Sequence, residues 1–130
     1  MVGQESPAAR DLAGRTKAYA LRIIRLYSAL PKSVVAQVVG KQLLRSGTSV
    51  GAHYREGSRS RSVAEFVSKL GGALQELEET MYWLELLQDA QIVKASRLES
   101  LADESGQIVA MLASSINTAK RRIRAKKGKS

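Results

Sequence analysis

The sequence predicts an all-α fold, an antiparallel up-down-up-down four-helix bundle, and three observations carry that prediction. Apolar residues, mostly Ala, Leu, Val and Ile, recur at steps of three and four along most of the chain. Only two prolines, Pro7 and Pro31, interrupt 130 residues. Breaks around Pro31, Gly57 to Arg61 and Asp89 to Ala95 separate four helix-length segments, and such short connections leave consecutive helices adjacent and antiparallel. A chain of this length makes one domain with one core. We assign residues 1–8 to a frayed N-terminus, 9–124 to the bundle and 125–130 to a flexible basic tail.

The first helix spans about Ala9 to Leu30, where Leu12, Thr16, Tyr19, Ile23, Leu26 and Leu30 form one face. Arg15, Arg22 and Arg25 lie together on another. Pro31 ends it, because proline disfavours helical geometry in the residue before it and supplies no backbone donor. The second helix, about Ser33 to Glu56, carries two different faces. Ala36, Gly40, Leu43, Gly47, Val50 and Tyr54 make a face of small and apolar residues on which another helix can approach closely. Glycine costs about 1 kcal/mol relative to alanine inside a helix, so Gly40, Gly47 and Gly51 imply close packing or a bend that offsets the cost. Lys41, Arg45, Arg55 and Arg59 form a basic stripe beside it.

Ser62 and Glu65 fit a capping box opening the third helix, and Ser96 with Glu99 fits a second one opening the fourth. In the third helix Val63, Phe66, Val67, Leu70, Leu74, Leu77, Met81 and Leu84 form the core stripe. Trp83, Leu86, Leu87 and Ala90 form a second apolar set on nearly the opposite side, which is the expected subunit contact of an oligomer. The fourth helix keeps one face from Leu98 through Leu101, Ser105, Ile108, Leu112, Ile116 and Ala119 to Ile123.

Composition excludes several chemistries. With no cysteine and one histidine the chain builds no disulfide, thiolate metal site or multi-histidine site. No serine with a paired base, phosphate loop or Glu-x-x-His pair accompanies the carboxylates, so no enzyme, cofactor or metal is expected. Glu76, Glu78, Glu79, Glu85 and Asp89 are read as ion-pair partners for Arg and Lys of neighbouring helices or subunits. His53 is read as a helix-surface or subunit-contact residue, and Tyr82 and Trp83 as packed aromatics. No apolar run approaches the roughly 20 residues that span a bilayer, and the N-terminus has no signal core, so a cytoplasmic protein without a membrane is expected.

The formal charge is +9, from 21 bases and 12 acids. Seven of those bases and no acid lie in the last eleven residues, which leaves 14 bases against 12 acids in the remainder. A distribution of this kind points to phosphate-backbone binding. The candidate contacts are Arg15, Arg22, Arg25, Lys41, Arg45, Arg55, Arg59 and Arg61, with Lys120, Arg121, Arg122, Arg124, Lys126, Lys127 and Lys129 of the tail. Nothing offers base readout, so binding to DNA or RNA is expected to be weakly sequence-specific.

Three stretches, LRIIRLYSALPK, GKQLLRSGTSVGAHYREG with RSRS following, and ALQELEETMYWLELL, resemble the small bacterial four-helix bundle proteins encoded in intervening sequences of 23S ribosomal RNA genes. They are also similar to the accessory variability determinant of diversity-generating retroelements. The resemblance covers about Ala20 to Val93. It implies a barrel-shaped homopentamer with a basic surface, and a reverse transcriptase as a candidate protein partner. The leading expectation is a non-enzymatic, oligomeric nucleic-acid-binding accessory protein; the alternative is an adaptor or scaffold docking an acidic partner protein.

Overall fold

The structure, a computed structural model, describes residues 7–128. It contains four α-helices, α1 Pro7–Ser28, α2 Val34–Ser58, α3 Val63–Asp89 and α4 Ala95–Gly128, with no strand among the described residues. Each helix touches its two neighbours in a ring. The α2–α3 seam is the most extensive and α1–α4 the slightest, and neither diagonal pair meets among the described residues. This is the expected antiparallel bundle.

The helix boundaries have local causes. Leu30 donates its backbone N–H to the Tyr27 carbonyl, tightening the last turn before Pro31. Ser33 caps α2 by accepting from the Ala36 N–H, and Ser62 caps α3 by accepting from the Glu65 N–H, one arm of the expected capping box. The second expected box fails. α4 begins at Ala95, so Ser96 lies inside the helix instead of capping it. α3 ends without glycine: Gln91 sits at φ 59, its N–H donates to the Gln88 carbonyl and that of Ile92 to Leu87. That pair of bonds is a Schellman closure, which satisfies two carbonyls that the helix end would leave open.

The core contains Tyr19 and Ile23 of α1, Leu43 and Tyr54 of α2, Leu70 and Leu77 of α3, and Ile108 and Leu112 of α4, all fully buried. Each buried Leu, Ile or Val contributes about 1.5–3 kcal/mol. The small-residue face of α2 is what brings α1 in. A Cβ added at Gly47 would stand 2.8 Å from Ile23 Cγ1 and 2.9 Å from its Cγ2, and one at Gly40 would stand 2.6 Å from Leu30 Cδ1. On the other side of α2, a Cβ on Gly57 would meet Leu70 Cδ1 at 2.7 Å. Ser46 and Thr80 share a buried hydrogen bond of 2.8 Å across the α2–α3 seam.

Leu87 corrects the sequence reading. Its side chain is 0% exposed inside the bundle, so it cannot join Trp83 in a subunit contact. Trp83 is half-buried against the core and its indole N–H donates to Glu79 at 3.1 Å; Leu86 is half-buried and Ala90 exposed.

Gly47→Ala should lower stability by about 1–3 kcal/mol in chemical denaturation, because the new methyl meets the stiff, branched Ile23. Gly106→Ala, in α4 with nothing within 4 Å of the added carbon, should raise it by up to about 1 kcal/mol. Equal effects would contradict the close-approach account.

Candidate nucleic-acid interface

Charge is segregated along this bundle. Between Asp11 and Glu56 the chain has eight bases and no acid, covering nearly all of α1 and α2. From Glu76 to Glu104 it has eight acids and two bases, Lys94 and Arg97. From Gly106 to Gly128 it has six bases and no acid. The ring order sets α1 beside α4 and α2 beside α3, so the basic helices border the acidic stretch on both sides.

Two of the expected nucleic-acid contacts are drawn into that border. Arg15 crosses from α1 to α4 and forms a forked pair with Glu104, Nη2 donating to one carboxylate oxygen at 2.7 Å and Nε to the other at 3.1 Å. Its Nη2 also donates to Gln107 at 2.6 Å, its Nη1 to the Met111 sulfur at 3.0 Å, and Asp11 lies 3.9 Å away. The hydrogen bond to Glu104 raises the Arg15 guanidinium above its already high ordinary value. Arg45 crosses from α2 to α3, donating to Glu76 at 3.0 Å and to Glu79, which also accepts from Trp83. Burial lowers the Arg45 guanidinium, and the two carboxylates outweigh it, so its pKa is raised. The Arg45 pairs are the inter-helix ion pairs expected for the α3 acids, whereas Arg15 pairs with Glu104 of α4, an acid the sequence reading leaves unassigned; both arginines are among those assigned to the ligand. A third pair, Lys69 Nζ to Glu56 at 3.0 Å, holds the Glu56 carboxyl below its ordinary range and neutralises the acid beside Arg55 and Arg59.

The other candidates fall into two groups. Arg22 donates to Ser100 Oγ at 3.0 Å at the α1–α4 seam, while Arg25 and Lys41 are exposed. Arg55, Arg59 and Arg61 are exposed at the α2–α3 connection. The up-down topology places that connection at the same end of the bundle as the C-terminus of α4, which carries Lys120, Arg121, Arg122, Arg124, Lys126 and Lys127, all exposed. Lys129 lies outside the described residues.

His53 stands in the α2–α3 seam and not on the surface: a Cβ on Gly72 would meet its Nδ1 at 3.1 Å. That nitrogen is buried with no hydrogen-bond partner among the described residues. No group of three or more His, Cys, Asp or Glu among the described residues could hold a metal ion. No helix among them is long and apolar enough to cross a membrane. Two shallow grooves, of about 160 Å³ beside Met81 and Leu98 and about 240 Å³ beside Leu12 and Met111, are smaller than the roughly 300–1,000 Å³ usual for ligand sites.

The apolar surface lies where the sequence reading does not place it. Val34, Val35 and Val38 at the start of α2 are 79%, 60% and 59% exposed, and Tyr82 near the end of the antiparallel α3 is 52% exposed. Leu21 and Ile24 of α1 are exposed as well.

The profile of the 23S rRNA-intervening sequence protein family matches residues 11–114, which is the bundle from the start of the α1 core to the last third of α4. This chain belongs to that family. A crystal structure of a protein of unknown function from the S23 ribosomal protein family of Bacteroides thetaiotaomicron is 38% identical, with a TM-score of 0.80, covering 85% of this chain and 98% of that one. No curated protein matches the chain significantly. In this member of the intervening-sequence family the basic end of α4, from 115 onward, lies beyond the family profile.

The α1–α4 seam also holds a buried Tyr19 hydroxyl, which shares a 2.7 Å hydrogen bond with Ser105 Oγ. Burial pushes its pKa from 10.0 up to about 12. A group raised on folding contributes stability below its unfolded pKa and loses it as pH rises toward the folded one. Stability should therefore fall between pH 10 and about 12. Tyr19→Phe should cost about 1 kcal/mol at pH 7 and flatten that alkaline loss in urea titrations, since Ser105 still donates to the Leu101 carbonyl. An unchanged alkaline slope would contradict it.

Proposed function

We propose that this protein is a non-enzymatic, nucleic-acid-binding accessory protein that neutralises phosphates with its exposed basic surface, assembling as a homopentamer. The observation that carries this reading is the run between Asp11 and Glu56, residues 12–55, with eight bases and no acid. Ion pairing inside the bundle engages Arg15 and Arg45, and the exposed Arg25, Lys41, Arg55, Arg59 and Arg61 remain directed to solvent. Exposed cations on helices suit contact with a phosphate backbone and little sequence preference. The family's description connects it with 23S ribosomal RNA, which supports a nucleic-acid setting. A reverse transcriptase is a candidate partner on the resemblance to retroelement accessory proteins.

Assembly is supported by the exposed valines at the start of α2 and by Tyr82, since large apolar side chains left exposed in number suit protein contacts. The same side chains favour one second reading, an adaptor that docks a partner protein and binds no nucleic acid.

Light scattering at micromolar concentration should give a mass several times 14.1 kDa, and a monomer would contradict the assembly. The assembled protein should bind both a DNA and an RNA oligonucleotide near 50 mM salt. Log affinity should fall linearly with log salt, by about 0.7–0.9 per phosphate neutralised. Absence of binding to either at that salt would favour the adaptor.

A further inference from the structure

The geometry points to a specialised use of the C-terminal third of α4: a protruding basic helix that enters the major groove of duplex DNA and clamps the phosphates on both walls. The inference rests on the nucleic-acid reading above and assigns it a ligand form.

The helix outruns its bundle. α4 has 34 residues against 27 in α3, the helix it follows across a short connection. Its last buried residue is Ala119, after which Ile123 alone is half-buried and everything else through Gly128 is exposed. Residues 120–128 extend roughly 13 Å at 1.5 Å per residue. Helix continues here for local reasons: Arg and Lys are good helix formers, and positive charge near a helix C-terminus is favoured by the dipole.

The arrangement of the bases selects the ligand. At about 100° per residue, Lys120, Arg124, Arg121, Arg122 and Lys126 fall at roughly 40°, 80°, 140°, 240° and 280° from Ile116, leaving one gap of about 100° between Arg121 and Arg122 and one of about 120° on the side that continues the core stripe, where Lys127 lies at roughly 20°. A flat polyanionic surface would engage about half of such a set. A groove with phosphate on both sides engages nearly all of it. A helix with side chains is about 10–12 Å across, and the major groove of B-form DNA is about 12 Å wide and 8.5 Å deep. The major groove of duplex RNA is too deep and narrow for the same entry. A single strand has no walls. Arg59 and Arg61 are exposed at the same end of the bundle and add positive charge there.

The five bases all lie beyond the residues that the family profile matches, so the groove contact is an addition to the common bundle.

The test compares the full-length protein with a variant carrying Arg121→Gln, Arg122→Gln, Arg124→Gln and Lys126→Gln. Glutamine keeps the helix propensity, and circular dichroism with thermal melting confirms the fold. Fluorescence anisotropy would use a 20-base-pair duplex DNA, the same sequence as duplex RNA, and one DNA strand alone. Wild type should bind duplex DNA tightest. The variant should lose at least about tenfold on duplex DNA, with its salt slope reduced by up to about 0.9 for each phosphate it no longer neutralises. It should lose less than about threefold on the single strand and on duplex RNA. Equal losses on all three probes would overturn groove entry while leaving nucleic-acid binding standing. Unchanged duplex affinity, or a variant whose oligomeric mass falls instead, would overturn the assignment of the extension. A wild type that binds none of the three would defeat the underlying reading itself.

Discussion

The close approach of α1 to α2 is the constraint on which the rest of this bundle depends. Gly40 and Gly47 leave no room for a methyl group beside Leu30 and Ile23, and a Cβ at Gly51 would meet Thr16 at 3.2 Å, so successive turns of α2 accept α1 directly against backbone. Each glycine costs about 1 kcal/mol of helix propensity, offset by the dispersion contacts of a tightly seated Ile23 and Leu30. With α1 held there, α3 closes the other side of α2 over Gly57 and Ser46, its own Gly72 lying against His53 of α2. α4 then meets α1 through the slightest seam, and polar groups supply much of its definition: Tyr19 to Ser105, Arg22 to Ser100, and the Arg15 fork on Glu104. Packing joins α4 to α3 as firmly as α1 to α2, and polar pairing defines the α1–α4 seam that closes the ring.

That division of labour explains how the charge is used. The acid-rich stretch of α3 and α4 lies beside acid-free stretches of α1 and α2, so arginines at the borders find carboxylates within the chain. Such pairs are partly exposed and contribute modestly, on the order of 0–1 kcal/mol each. Their larger effect is on the surface: they remove two of the strongest candidate cations and leave the others on the outer faces of α1 and α2 and at the end where α4 protrudes.

The periodicity makes four helices legible, and Pro31, Ser33 and Ser62 mark boundaries that the structure keeps. The small residues of α2 announce a close contact without naming its partner. What the sequence hides depends on neighbours across space. A helical wheel places Arg15 and Arg45 on a face of their own helix and cannot say that Glu104, Glu76 and Glu79 stand opposite. Read residue by residue, the α3 acids are ion-pair partners, Glu104 of α4 has no assigned role and these two arginines belong to the ligand; matching the sign of facing stretches in an antiparallel bundle joins them. Leu87 has the spacing of a second apolar face, yet a helix flanked by two neighbours buries a wide arc, and Leu87 falls within it. Gln91 gives no glycine signal for its left-handed turn. Ser96 has capping-box spacing, but α4 has already started at Ala95. α4 continues to Gly128, four residues past the sequence-drawn boundary at 124, because the basic residues that suggest a tail are also good helix formers.

This basic surface divides into arginines that register helices and cations that face a ligand. The most direct measurement of that division is a paired one, recording both unfolding free energy and the salt slope of oligonucleotide binding for two variants. Arg15→Gln with Arg45→Gln should lower stability by up to about 2 kcal/mol and leave the slope unchanged. Lys41→Gln with Arg55→Gln should leave stability within about 0.5 kcal/mol and reduce the slope by about 0.7–0.9 for each phosphate left without its cation. The reverse pattern, or two variants that change both quantities alike, would contradict the division.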